Sequence, residues 1–237
     1  MNTVLSLQSI NKSFAGQPIL KNLNLDVFQG ELLAVLGNSG SGKTTFLRLI
    51  SGFDSADSGL IEIGGRAVFG KGVNVLAEER KVGFVPQDVF LFSDTIANNI
   101  AFGLDQTDNK DLIEKAAKDA DVYQNIVDFP KGFETMLGER GITLSGGQKQ
   151  RVSIARAIAK EPKILILDDC LSAVDTKTEN AILTALKKIM ENRTSIIISH
   201  RVSSAKLADH IIVLDDGRVI EQGNHESLME KKGVYAE

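Results

Sequence analysis

Residues 37–45 read GNSGSGKTT, directly after the apolar run LLAVL and directly before FLRLIS. No other stretch restricts the fold so strongly. The spacing Gly37-x-x-x-x-Gly42-Lys43-Thr44 turns successive backbone N–H groups toward one point, and the helix that follows adds the positive end of its dipole. Such a loop holds phosphate only when a strand enters it and a helix leaves it, so this segment commits the chain to an α/β layer. Gly37, Asn38, Ser39, Gly40, Ser41, Gly42 and Thr45 are expected to line the phosphates of a nucleotide. Lys43 should reach the β and γ phosphates, and the Thr44 hydroxyl should ligate Mg²⁺.

Three further apolar runs share the character of LLAVL: ILILDD from Ile164, SIIISH from Ser195 and HIIVLDDG from His210. Continuous rather than alternating apolarity at strand length predicts strands covered on both faces. Strands of this kind need helical crossovers, and GKTTFLRLIS, TKTENAILTALKKIMEN and VSSAKLA follow the first three runs in turn. The expectation is a mostly parallel sheet with its ligand chemistry at the carboxyl ends of the strands.

Two regions fall outside that layer. Thr3 to about Phe28, together with GLIEIGGRAVF from Gly59, carries strand-like segments and glycine turns without helices, which predicts a small antiparallel layer. From about Asp88 to Glu161 the helical segments DNKDLIEKAAKDA and GGQKQRVSIARAIAK are joined by DFPKGFETMLGERGITLS. They predict an inserted helical subdomain. A single domain results, with residues 1–87 and 162–237 as core plus antiparallel layer and residues 88–161 as the helical subdomain.

Composition narrows the partners. At 237 residues and 43% hydrophobic content the chain can bury one sizeable core. A net charge of -4, with no run of Lys and Arg, argues against a nucleic-acid partner. Cys170 is the only cysteine, so no internal disulfide forms. No apolar segment approaches the ~20 residues that span a bilayer, and MNTVLSLQSI lacks the basic flank and apolar run of a signal peptide. The chain is therefore expected to be cytoplasmic and to meet a membrane only through a partner.

ILILDD is an apolar strand ending in two carboxylates. With the phosphate loop on a neighbouring strand, Asp168 is expected to reach the Mg²⁺ shell. LSGGQKQR, Leu144 to Arg151, offers a second anion site, because Ser145, Gly146 and Gly147 begin a helix with exposed N–H groups and a hydroxyl. One chain has little use for two phosphate cradles around one nucleotide unless they face each other across a dimer.

With these motifs spread over nearly its whole length, the chain resembles the nucleotide-binding domain of an ABC transporter. The resemblance implies a P-loop NTPase (RecA-like) core that uses ATP and Mg²⁺. It also implies a second nucleotide-binding domain as a homodimeric or heterodimeric partner, and transmembrane transporter subunits. Gln87, in VPQDVFLF, matches the family's glutamine that senses Mg²⁺ and the attacking water. Ser172, Ala173, Val174 and Asp175 match its dimer-crossing loop, and His200 matches the histidine that contacts the γ-phosphate. Ser145, Gly146, Gly147 and Gln148 would meet the nucleotide held by the other subunit. Phe14, in NKSFAG, falls where the family stacks an aromatic on adenine, although the residues alone equally allow a packing aromatic of the antiparallel layer.

Departures from the family pattern carry their own expectations. The family's hydrolytic base is a Glu directly after the Mg²⁺ Asp, and here that position is Asp169, shorter by about one bond. ATP binding with slow hydrolysis is expected, and an ATP-dependent dimerisation switch with little hydrolysis is the alternative. From about Val85 onward the chain resembles exporters, with Met136 in place of a usual acidic residue. Before that point it resembles importer ATPases of the ferric-iron type, including EERKVGF before Gln87. A mosaic with a junction near Lys81 to Pro86 would explain the change. A DNA- or ribosome-directed ABC protein would need coiled-coil arms or a second cassette in the chain, and LSGGQKQR argues against a kinase.

Overall fold

The computed structural model describes residues 2–104, 109–138, 144–169, 187–190, 193–198 and 205–236. A long hairpin comes first, β1 (Thr3–Phe14) and β2 (Gln17–Phe28). It turns at Ala15 and Gly16, whose φ angles of 50° and 80° form the left-handed pair that matches strand twist. Strand β3 (Leu32–Leu36) leads through the phosphate loop into helix α1 (Lys43–Ser51). Strands β4 (Ser58–Ile63), β5 (Arg66–Gly70) and β6 (Val73–Asn74) then return to the hairpin. Together they make an antiparallel sheet ordered β2-β1-β4-β5-β6, the layer anticipated from Thr3–Phe28 and the segment at Gly59.

Strand β7 (Val82–Val85) enters the central layer. Helices α2 (Ile96–Ala101), α3 (Lys110–Asp119), α4 (Tyr123–Val127) and α5 (Gly146–Ala159) follow, with a single β-bridge between Thr95 and Met136. The two segments expected to be helical contain α3 and α5. Helices α2 and α4 were not anticipated, since at 6 and 5 residues neither runs long enough to show a helical period. The chain returns through β8 (Ile164–Asp168), β9 (Thr194–Ile198), β10 (His210–Asp215), β11 (Arg218–Gly223) and helix α6 (His225–Lys231). Residues 187–190 are helical, within the expected crossover after β8; the rest of that crossover and the start of VSSAKLA lie outside the described residues.

The central sheet is ordered β11-β10-β3-β9-β8-β7, with every neighbouring pair parallel except β10 and β11. All four apolar runs of the sequence are therefore its inner strands, and the reason is visible in their packing. Along β3, Leu32 and Ala34 face the core shared with α2, α3 and α5, whereas Leu33 and Val35 face the core shared with α1 and the antiparallel sheet. Strand β8 alternates likewise, with Leu165 and Leu167 on the first side and Ile164 and Ile166 on the second. Both faces are covered, so no polar alternation survives. The carboxyl ends of β3, β7 and β8 lead directly to Gly37, Gln87 and Asp168–Asp169 at one edge of the layer, the place where open α/β sheets bind ligands.

Candidate functional site

Helix α1 begins without a side-chain cap. Its N-cap is Gly42, at φ 103°, so the first-turn N–H groups of Lys43, Thr44 and Thr45 are left for an external acceptor. A Cβ at Gly42 would lie 2.8 Å from the Leu20 side chain, and one at Gly37, φ 143°, would lie 2.1 Å from the Leu214 carbonyl oxygen. The loop is thus pressed between β2 and the end of β10 at two positions where only glycine fits. Its internal bonds run from the Ser41 N–H to the Asn38 carbonyl at 3.2 Å, and from the Gly217 N–H to the Ser41 carbonyl at 3.2 Å.

Lys43 is 8% exposed and donates from Nζ to the carbonyls of Gly37 and Asn38, each at 2.8 Å. Burial holds its pKa below the ordinary lysine value, and the charges of Asp168 and Asp169 resist that shift. Ser41 Oγ is buried and has no hydrogen-bond partner among the described residues. An orphaned hydroxyl in a loop that leads into a helix without a side-chain cap fits a phosphate better than it fits an empty turn.

Opposite the loop stand the acidic groups. Asp168 is half-buried at the end of β8; burial raises its carboxyl above the ordinary value, Asp169 adds to the rise, and Lys43 opposes it. Asp169 adopts the left-handed region, φ 42°, with its N–H donating to the Ile198 carbonyl at 3.1 Å. Gln87 Nε2 donates to Asp169 Oδ2 at 3.3 Å. One cavity of about 360 Å³ gathers these groups: Lys43, Thr44, Thr45, Gln87, Asp168 and Asp169 line it together with Ser39, Gly40, Gly42 and Phe14. Phe14 is 46% exposed, so it is not a core aromatic. A hydroxyl, one amide and a carboxylate beside a phosphate cradle suit Mg²⁺, which keeps waters and substrate oxygens in its shell rather than filling it with protein ligands.

Ser145 to Gln148 do not line this cavity. They start α5, where Gln148 N–H donates to Ser145 Oγ at 3.2 Å and Ser145 N–H donates to Gln148 Oε1 at 2.9 Å, a capping box. The Gln148 side chain is thereby turned back on its own helix end, while Ser145 and Gly146 remain exposed and Gly147 is buried. His200, Asp175 and Ser172 to Val174 lie outside the described residues. Met136 is 46% exposed.

Sequence reasoning missed Ile19 and Ile198, which line the cavity, and two arginines that hold its supports. Arg80, 3% exposed, donates to the carbonyls of Leu49 and Ile50 at the end of α1, to the Val75 carbonyl and to Asn74 Oδ1. Arg156, on α5, donates to the carbonyls of Asn99 and Phe90 and to Asn99 Oδ1, and lies over the rings of Phe92 and Phe102. Burial lowers the pKa of both guanidinium groups. Nothing in a charged residue's local pattern separates such a carbonyl clamp from a solvated one.

Several known proteins share this arrangement. The "ATP-binding cassette sub-family B member 6" of Mus musculus is 45% identical over 234 residues, 98% of this chain and 27% of that protein. The "ATP-dependent lipid A-core flippase" of Syntrophus aciditrophicus (strain SB) is 41% identical over 231 residues, 98% of this chain and 38% of that protein. Among solved structures, a bacterial Atm1-family ABC exporter with ATP bound matches with a TM-score of 0.87 and 39% identity, over 99% of this chain and 41% of the other. The chain thus spans well under half the length of these relatives, and the matches take in both sides of residues 81–86. Since the family described as ABC transporter matches residues 20–172, from β2 through the phosphate loop and α5 to just past Asp168 and Asp169, this chain belongs to the ABC transporter family.

Proposed function

We propose that the chain is an ATP-binding and ATP-hydrolysing cassette that powers movement of a substrate across a membrane. The observation that carries this reading is the convergence of Lys43, Thr44, Gln87, Asp168 and Asp169 on one cavity beneath uncapped N–H groups. The single domain divides into residues 1–87 and 162–237, which carry the phosphate loop and carboxylates, and a helical subdomain, 88–161, which carries Ser145 to Gln148. Phosphates rest on the N–H groups of residues 37–45, with Lys43 neutralising their charge. Thr44, Asp168 and Gln87 would hold Mg²⁺, which would supply neutralisation of phosphate charge. Asp169 accepts a proton from the attacking water, oriented with Gln87, and His200 contacts the γ-phosphate.

The cavity lacks Ser145, Gly146 and Gly147, and this supports a head-to-tail dimer in which a second nucleotide-binding domain supplies them. Asp175 would then lie along that dimer seam. Closure on ATP and reopening after hydrolysis would drive transmembrane subunits, and the chain would sit at the cytoplasmic face of the membrane through them. No helix among the described residues is long and apolar enough to cross a bilayer, so the membrane path must come from elsewhere. The flippase and exporter among its relatives favour export. The resemblance of residues before about Val85 to importer ATPases is what supports reading the chain as a mosaic with its junction at Lys81 to Pro86, on the approach to and within β7.

The reach of Asp169 favours slow turnover, and in the limit an ATP-dependent dimerisation switch with little hydrolysis. Steady-state ATP hydrolysis with Mg²⁺, measured against protein concentration, tests the proposal. A rate rising faster than linearly in protein, and lost in Lys43→Ala, is expected. A linear dependence would overturn the shared-site dimer, and activity surviving Lys43→Ala would overturn the assignment of the cavity.

A further inference from the structure

Phe14 stands at the end of β1, lines the cavity and carries a cation over its ring. Lys12 Nζ lies 4.7 Å from the centroid of the Phe14 ring. Phe14 lines the cavity and Lys12 does not. This lysine is not a loose surface cation. Its side chain is 11% exposed, and Nζ donates to the Ser55 carbonyl at 2.8 Å and pairs with Asp54 Oδ1 at 3.0 Å, with Asp57 Oδ1 at 3.8 Å.

The anchors are themselves held. Asp54 Oδ1 accepts from the Ser55 N–H at 2.8 Å, the Asp54 N–H donates to the Arg48 carbonyl in the last turn of α1, and Asp57 Oδ2 accepts from the Ser13 N–H at 2.6 Å. The Asp54 carboxyl stays below its ordinary pKa: burial pushes it up, and the Lys12 and Ser55 hydrogen bonds outweigh that push. The ion pair therefore persists throughout the neutral range. Through it, the Phe14 ring is tied to the last turn of the helix whose N-terminus forms the phosphate cradle.

A cation fixed on one face of an aromatic ring draws π density toward itself and leaves the opposite face less negative. An electron-rich purine then stacks on that opposite face with less repulsion, and a ring held from behind loses little freedom when it does so. We infer that Lys12 is a positioning and specificity-determining residue for the base: it backs Phe14 and makes the cavity prefer an adenine nucleotide over the same phosphates without a base. The inference rests on the reading of the cavity as a nucleotide site with Phe14 as its base platform, and adds a residue that touches no part of the nucleotide.

The test compares two probes, MgATP and magnesium tripolyphosphate, by equilibrium titration calorimetry on the full chain and on Lys12→Met, Lys12→Arg and Phe14→Ala. Lys12→Met keeps the aliphatic stem and removes the charge, whereas Lys12→Arg keeps the charge. Lys12→Met is expected to weaken ATP about three- to fivefold while leaving tripolyphosphate unchanged, with Lys12→Arg recovering most of the loss. If Lys12→Met binds both probes as the unaltered chain does while Phe14→Ala loses ATP affinity, the role of Lys12 is overturned and the base platform stands. If Phe14→Ala also binds ATP normally, the platform itself is wrong. Equal weakening of both probes by Lys12→Met would mean that the lysine merely braces the loop, which also overturns the inference.

Discussion

Replacing Asp169 by Glu changes two quantities in opposite directions, and the structure says by how much. Asp169 sits at φ 42° with its N–H on the Ile198 carbonyl, so its Cα is fixed by the β8–β9 edge and cannot move toward the phosphates. The added methylene lengthens the side chain by about 1.5 Å. A misplacement of about 1 Å in a reacting group costs on the order of 100-fold, or about 2.7 kcal/mol of barrier, so restored reach should raise hydrolysis by up to about that factor. The left-handed backbone is tolerated by Asp, whose short side chain bonds locally, and is less favourable for Glu by up to about 1 kcal/mol. That strain is present before and during the reaction alike. It should therefore appear in stability, as a thermal midpoint lower by about 2–4 °C, and not in the rate. Single-turnover hydrolysis with protein in excess reads the first quantity, and a thermal melt without nucleotide reads the second. If Asp169→Glu binds ATP normally yet hydrolyses within about threefold of the unaltered chain, the reach of this carboxylate does not limit the reaction and the reasoning fails.

Two further outcomes follow from groups around the same cavity. Burial and the neighbouring Asp169 raise the Asp168 carboxyl, so the folded chain binds this proton more tightly than the unfolded chain does. Its contribution to stability is therefore lost as pH rises from the ordinary carboxylate value through the raised one. Asp168→Asn should melt at higher temperature than the unaltered chain at neutral pH without ligand, show a flatter pH dependence in that window, and lose the strengthening of ATP binding by Mg²⁺. A lower melting temperature with the same pH slope would contradict this. Arg80→Met would leave the Leu49, Ile50 and Val75 carbonyls and Asn74 Oδ1 without their buried donor, and should cost about 3 to 5 kcal/mol in urea unfolding. A loss below about 1 kcal/mol would mean that water or a shifted side chain replaces the guanidinium.

What was legible in the sequence follows from how narrow each physical requirement is. Gly37 and Gly42 announce themselves because a Cβ would collide with Leu214 or Leu20, and no other residue meets that demand. The inner strands β3, β8, β9 and β10 were readable because burial on both faces erases polar alternation. Strand β7 was not, being only the four residues VGFV at the sheet edge, and neither was β11, whose alternate residues are exposed. The helix start at Ser145 was readable as a motif, but the reciprocal bonding between Ser145 and Gln148 needed coordinates. Phe14 could be read either way from the sequence; its exposure and its place in the cavity lining speak against a core aromatic, and its role toward a base is part of the proposal. Lys12, Arg80 and Arg156 left no trace, since a cation held by carbonyls or a ring has no characteristic spacing.

The position of β3 has a consequence for how the chain is made. Its two neighbours in the sheet, β9 and β10, are synthesised some 160 residues later, and the phosphate loop is closed at its back by Leu214 and Gly217. When the glycine loop leaves the ribosome, β2 is there to meet it, but the β10 side that closes its back is not. The central sheet must wait until β10 has been made, and pairing over so long a separation favours slow folding. Until then the LLAVL segment is an uncovered, strand-forming apolar run, a natural substrate for chaperones. Nucleotide cannot rescue a nascent or truncated chain that stops before β10, because the cradle it would stabilise has not been built.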